Sequence, residues 1–114
     1  LYPYNMEVFR DRLARAGMSE QAEDFFLASG RWAAELYKAD IEMDLRTEGL
    51  AGFQLLDLQD YPGQGSAYVG ILDAFMDSKG LVSPERWKGF CNEVVPLLLT
   101  EKFCWTEGET LMPG

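Results

Sequence analysis

The chain has 114 residues, 47% of them hydrophobic and 13% aromatic, and a formal net charge of -9. That length holds one domain or part of one, and that apolar content supports a packed core, which excludes a disordered chain. Strong negative charge without a basic cluster excludes nucleic acid and membrane surfaces as partners, and no apolar run is long enough to span a bilayer.

The sequence opens on Leu1 with no signal peptide, which predicts a longer precursor. A first helix is predicted with Asn5 as N-cap and Glu7 in its first turn. Met6, Phe9, Leu13 and Ala16 follow at helical spacing, and Gly17 stops it. Ser19 caps a second helix, with Glu20 in its first turn, that runs to Gly49. Phe25, Trp32, Leu36 and Met43 form its apolar stripe, and Phe26, Ala33, Tyr37 and Ile41 widen it. Asp24, Arg31, Glu35, Lys38, Glu42 and Arg46 form the polar face. Gly30 lies in the middle, at a cost of about 1 kcal/mol relative to Ala, and predicts a close backbone approach or a kink.

A short apolar run, "GFQLLDL" from Gly52 to Leu58, reads as a strand buried on both faces. The helix-then-strand order predicts an α/β fold with a parallel sheet. Polar residues gather at the C-terminal end of this run, where ligands bind in α/β sheets and barrels. Alternation puts Asp57 and Gln59 on one face, with Asp60 on the other or in the loop. A carboxylate at a buried strand end must be paired or hydrogen-bonded. Asp57 therefore either meets a ligand or accepts backbone or Arg hydrogen bonds and only shapes the rim. Tyr61, in the loop after the strand, is a candidate pocket-lining residue; Trp32, Tyr37 and Trp87, at helical spacing, read as core.

The loop "YPGQG" lacks the Lys and Ser/Thr of a phosphate cradle. Ser66 is a candidate cap for a third helix with Val69, Leu72, Phe75 and Met76 on its apolar face, ended by Gly80. Read as a calcium loop with Gly80 at its sixth position, the same stretch puts Phe75, Lys79 and Arg86 where ligands are needed, which excludes that site. A fourth helix is predicted from the Ser83 cap and Pro84, with Trp87, Phe90, Cys91 and Val94 as its stripe and Pro96 as its stop. Residues 97–114 look extended, so the chain divides into 1–96 and a tail that leads toward a β-rich neighbour.

The absence of His removes Ser-His and Cys-His nucleophiles and His-ligated zinc. Cys91 and Cys104 lack a metal-ligand spacing and read as two free or half-buried thiols, with a disulfide as the alternative. No metal and no cofactor is expected.

The segments "LLDLQDYPGQG" and "LDAFMDSKG" resemble the closing part of the catalytic barrel in glycoside hydrolase family 2, the β-galactosidase-like proteins of Bacteroidetes. The resemblance runs from about Asn5 to Leu99. It implies a C-terminal fragment of a (β/α)8 barrel, helix-rich, with Gly52 to Leu58 as the one central parallel strand and residues 97–111 entering a β-sandwich. It implies a retaining β-glycosidase as parent, periplasmic or secreted, acting on a β-galactoside-like carbohydrate with a pair of Glu residues. Both of those belong upstream of Leu1, so no catalytic residue maps onto this chain. What maps is a substrate-positioning set of Asp57, Gln59, Asp60, Tyr61 and Gln64. Uncovered barrel edges would favour self-association. Two readings stand beside this one: a small acidic helical interaction domain, and a sugar-binding module without hydrolysis.

Overall fold

The computed structural model describes residue 2, residues 4–64 and residues 68–112. Three α-helices are present among them: α1 (Tyr4–Arg15), α2 (Ala22–Arg46) and α3 (Pro84–Lys88). The radius of gyration is 18.2 Å, against about 13 Å for a compact domain of this length.

Helix α1 buries none of its residues. Asn5 lies inside it and does not cap it. Its C-terminus closes as a Schellman turn: Gly17 sits at φ 68, the Met18 N–H donates to the Leu13 carbonyl at 2.9 Å, and the Gly17 N–H donates to the Ala14 carbonyl at 3.0 Å. Ser19 opens a 3-10 turn, and Gln21 stands at the N-cap of α2 without a side-chain hydrogen bond.

Helix α2 is the scaffold, and it packs by one edge of the predicted stripe, Tyr37 and Ile41, and not by its centre. Its buried residues are Ala34 and Ile41. At about 100° per residue these share a side with Gly30 and Tyr37. Phe25, Trp32, Leu36 and Met43 point the opposite way and are exposed, Trp32 by 64%. The inner face meets the second half of the chain. Leu81 covers Gly30, Tyr37 lies 6.3 Å from the Trp87 ring, and Trp87 meets Phe90 edge-on at 5.0 Å. Phe90 is 1% exposed and is the deepest large side chain. The close approach at Gly30 is therefore made by the Leu81 side chain, not by a backbone.

Helix α3 starts as its sequence predicts. The Ser83 hydroxyl accepts from the Arg86 N–H at 3.2 Å, and Pro84 opens the helix. It stops at Lys88 instead of continuing to Val94, because the chain folds into turns at Gly89, which places the half-buried Cys91 outside the helix. Both cysteines are free thiols.

The predicted strand and barrel fragment are overturned. No residue among those described lies in a strand; pairing is limited to two isolated bridges, one parallel between Gln59 and Leu72 and one antiparallel between Leu72 and Ser78. A strand forms only where a neighbour accepts and donates along its length. Residues 52–58 have no such neighbour, and Leu56 is 91% exposed. Among the described residues there is thus no barrel edge through which copies could pair. The predicted third helix is absent too: residues 68–76 are non-helical, and its cap Ser66 lies outside the described residues. Asp73 is the cause. Its carboxylate accepts the N–H groups of Phe75 at 2.8 Å and Asp77 at 2.9 Å, which holds the chain in a local turn in place of a helix. Met76 takes a left-handed φ of 70 in that turn.

Residues 97–112 carry no helix or strand. Arg46 ties them to α2, donating from Nε to the Leu98 carbonyl at 3.1 Å, with its guanidinium 5.7 Å from the Phe103 ring centre.

A Cβ at position 30 would come within 2.7 Å of both Leu81 methyl carbons. Gly30→Val should therefore destabilise the protein by about 1–3 kcal/mol through overpacking. Adding Leu81→Ala should recover part of the loss in a urea titration. An unchanged or higher urea midpoint for Gly30→Val alone would refute this packing.

Candidate functional site

The predicted site residues divide into three settings. Asp60 is the most constrained. It is buried, and its Oδ1 accepts from Lys79 Nζ at 2.7 Å and from the Gly70 N–H at 2.9 Å. Lys79 Nζ also donates to the Gly70 carbonyl at 2.9 Å and to the Tyr68 carbonyl at 3.4 Å. All three ammonium protons are thus directed at oxygens. Side-chain exposure is 12% for Lys79 and 9% for Asp60. A pair so shielded must be complete, because removing either member strands a charge.

Backbone contacts surround this pair. The Asp60 N–H donates to the Leu72 carbonyl at 3.1 Å, and the Leu72 N–H donates to the Leu58 carbonyl at 3.0 Å. Gly70 lies against the chain at Gln59 and Asp60, where any Cβ would overlap backbone atoms. Only glycine allows that approach. Asp60 is therefore an anchor whose Oδ1 is directed inward, at Lys79 and the Gly70 N–H.

Asp57 has a different setting. It lines a cleft of about 290 Å³ between α2 and residues 53–57, together with Tyr37, Asp40 and Asp44. Burial first, and the charge of Asp57 second, hold the Tyr37 phenol above its ordinary value of 10.0. The cleft is thus rich in hydrogen-bond acceptors and carries one phenol donor. Asp40 and Asp44 were missed in the sequence, although their spacing of four already places them on one side of a helix. Lys79 was missed as well. Its partner lies 19 residues away, and no local pattern marks such a pair.

Gln59, Tyr61 and Gln64 form the third setting, exposed positions on either side of the anchor. The Gln64 N–H donates to the Tyr61 carbonyl at 3.4 Å, which closes a turn. The Tyr61 ring folds back over Gly63, where a Cβ would collide with it. These positions therefore expose one aromatic ring, by 58%, and two carboxamides. The structure places Asp57 with the acids of α2 and leaves Gln59, Tyr61 and Gln64 on the loop, so the five predicted residues do not share one cavity.

Among the described residues, no group of three or more Cys, Asp or Glu is arranged to hold a metal ion, and no helix is long and apolar enough to cross a membrane. Comparison with known proteins finds no family model that matches the chain and no significantly similar curated protein.

Two outcomes follow from these geometries. Asp60→Ala and Lys79→Met should each destabilise the protein by about 3–5 kcal/mol, the range for breaking a buried pair. The double variant should lose much less than the sum of the two, as coupled sites do. Additive losses in chemical denaturation would show that the pair does not act as a unit. The second outcome concerns Tyr37. Its raised pKa means that the folded state holds the phenol proton more tightly, so this contribution to stability is complete below pH 10.0 and fades as the pH rises through the folded value. Asp57→Asn should lower the Tyr37 pKa in an NMR titration of the ring carbons; an unmoved midpoint would show that the two groups do not interact.

Proposed function

We propose that the chain is part of a carbohydrate-active glycoside hydrolase of the β-galactosidase-like kind, in which it positions sugar and does not cleave the glycosidic bond. The loop after Asp60 carries this reading. The Tyr61 ring and the Gln64 carboxamide stand exposed on a turn whose root is fixed by a buried ion pair, and Gln59 is exposed just before that root. Such groups suit a sugar, whose apolar face stacks on an aromatic ring and whose hydroxyls pair with amides and carboxylates. Asp57, in the acid-lined cleft, adds an acceptor for hydroxyl groups. The resemblance of "LLDLQDYPGQG" and "LDAFMDSKG" to family 2 glycosidases supplies the substrate class. Asp60 serves this function indirectly, by holding the loop.

No bond-cleaving step is assigned to these residues. A retaining glycosidase needs two carboxyl groups about 5–5.5 Å apart across the scissile bond, and in the resembling family both come from earlier strands. The rival reading, a small acidic interaction domain, draws on a separate observation, the many large apolar side chains left exposed on α1 and α2.

A galactose titration followed by the amide signals of residues 59–64 should show weak, saturable binding that Tyr61→Ala removes, with no hydrolysis of a chromogenic β-galactoside. Turnover by the chain would defeat the positioning role. Unmoved signals at saturating sugar would defeat the carbohydrate reading.

A further inference from the structure

A cleft of about 290 Å³ opens between α3 and the segments joined by the two isolated bridges, and the proposed function does not use it. Leu58, Ile71 and Leu72 line it from the bridged segments, and Val82 and Trp87 line it from the α3 side. Both sides are held in place. The Leu72 N–H donates to the Leu58 carbonyl at 3.0 Å, and the Leu72 carbonyl accepts from the Asp60 N–H at 3.1 Å. The Ser83 cap fixes the start of α3, and Trp87 meets Phe90 edge-on at 5.0 Å. The space is therefore formed before a ligand arrives, which spares an occupant the cost of ordering it. An apolar cavity of about 150 Å³ already holds benzene. This one has room for an aryl or branched alkyl group with a short chain attached.

The charge beside these walls selects the occupant. Residues 52–112 carry four cations, Lys79, Arg86, Lys88 and Lys102. Three of them already bind a carboxylate: Lys79 binds Asp60, Arg86 binds Glu35 and Lys102 binds Glu109. Lys88 makes no ion pair among the described residues, and of the four it is the one that lines the cleft. No Asp or Glu among the described residues shares that lining; its other polar side chains are the hydroxyls of Ser78 and Ser83. A lysine lays its hydrocarbon stem along apolar surface and keeps its ammonium in water. An occupant whose apolar part fills the cleft can therefore meet an uncommitted cation at its mouth, with no carboxylate in the lining to oppose an anion.

From the preformed apolar walls and this uncommitted cation we infer that the cleft binds a small apolar carboxylate, an aryl or branched alkyl acid. Its hydrocarbon part packs against Ile71, Leu72, Val82 and Trp87, and its carboxylate pairs with the Lys88 ammonium. A neutral apolar molecule would leave Lys88 unmatched, and an amine would bring a second cation beside it. The chain as a whole, at a net charge of -9, repels anions. A preference at this cleft for an acid over its neutral analogue must therefore come from Lys88. The inference is independent of the sugar-binding reading, because none of Asp57, Gln59, Tyr61 and Gln64 lines this cleft.

The probe is 3-phenylpropanoate, titrated into the full chain and followed by NMR through the Trp87 indole N–H signal, with 3-phenylpropanamide as its neutral analogue. Both should move the signal saturably, and the acid should bind about three- to fivefold more tightly than the amide, the upper range for an exposed ion pair. Lys88→Gln should abolish that difference while leaving amide binding unchanged, and Lys88→Arg should retain it. Lys88 is exposed, so both variants should keep the Phe90 amide signal of the native fold. Leu58→Trp, which fills the cleft, should remove the binding of both probes. Three results would each overturn the inference: acid binding no tighter than amide binding, a preference for the acid that survives in Lys88→Gln, or an unmoved Trp87 signal at the solubility limit of the acid.

Discussion

The Lys79 ammonium holds the second half of this protein together. One cation binds the Asp60 carboxylate and the carbonyls of Tyr68 and Gly70, and so joins three stretches of chain that share no regular secondary structure. Helix α2 needs no such device, because its backbone hydrogen bonds are internal. Residues 52–82 lack that advantage: two isolated bridges supply little ladder. Their polar backbone groups must still be satisfied wherever water is excluded. The carboxylate of Asp60 and the ammonium of Lys79 meet part of that need from the side chains, and Gly70 lets the strands of chain come close enough for it to work. The loop that bears Tyr61 inherits its position from this junction.

The parts of the fold legible in the sequence are those decided within a few residues. The Gly17 stop, the long helix before Gly49 and the Ser83–Pro84 start all follow from local chemistry, and all are present. Which side of α2 faces inward was not legible. The helix is apolar on two opposite sides, and its period alone does not distinguish a face that meets Leu81 and Trp87 from one that stays largely exposed. The strand at 52–58 failed for a related reason. Its apolar run states a preference for burial, but burial of a strand depends on neighbouring strands, and Phe53, Leu56 and Leu58 remain exposed. At Asp73 a single side chain overrode the apolar pattern of Leu72, Phe75 and Met76 by capturing two backbone donors.

The candidate site was legible in composition more than in arrangement. "DLQDYPGQG" marks a polar turn after an apolar run, yet adjacent residues in it do different work. Asp57 joins the acids of α2, Asp60 turns inward to Lys79, and Tyr61 turns outward over Gly63. Two carboxylates three positions apart thus become a cleft-lining group and a structural anchor. Their partners decide this, and those partners are remote in sequence: Tyr37 for the first, Lys79 for the second. Helix α2 completes the account. It bears apolar residues on both sides, and the second half of this chain packs against one of them.

Native-state hydrogen exchange tests the central role of the Asp60–Lys79 junction most directly. If the junction organises the second half, the amides of Asp60, Gly70 and Leu72 exchange as one slow group, well protected relative to residues 53–56. If those three amides exchange at the rate of an open loop while α2 remains protected, the junction does not hold the fold and the account fails.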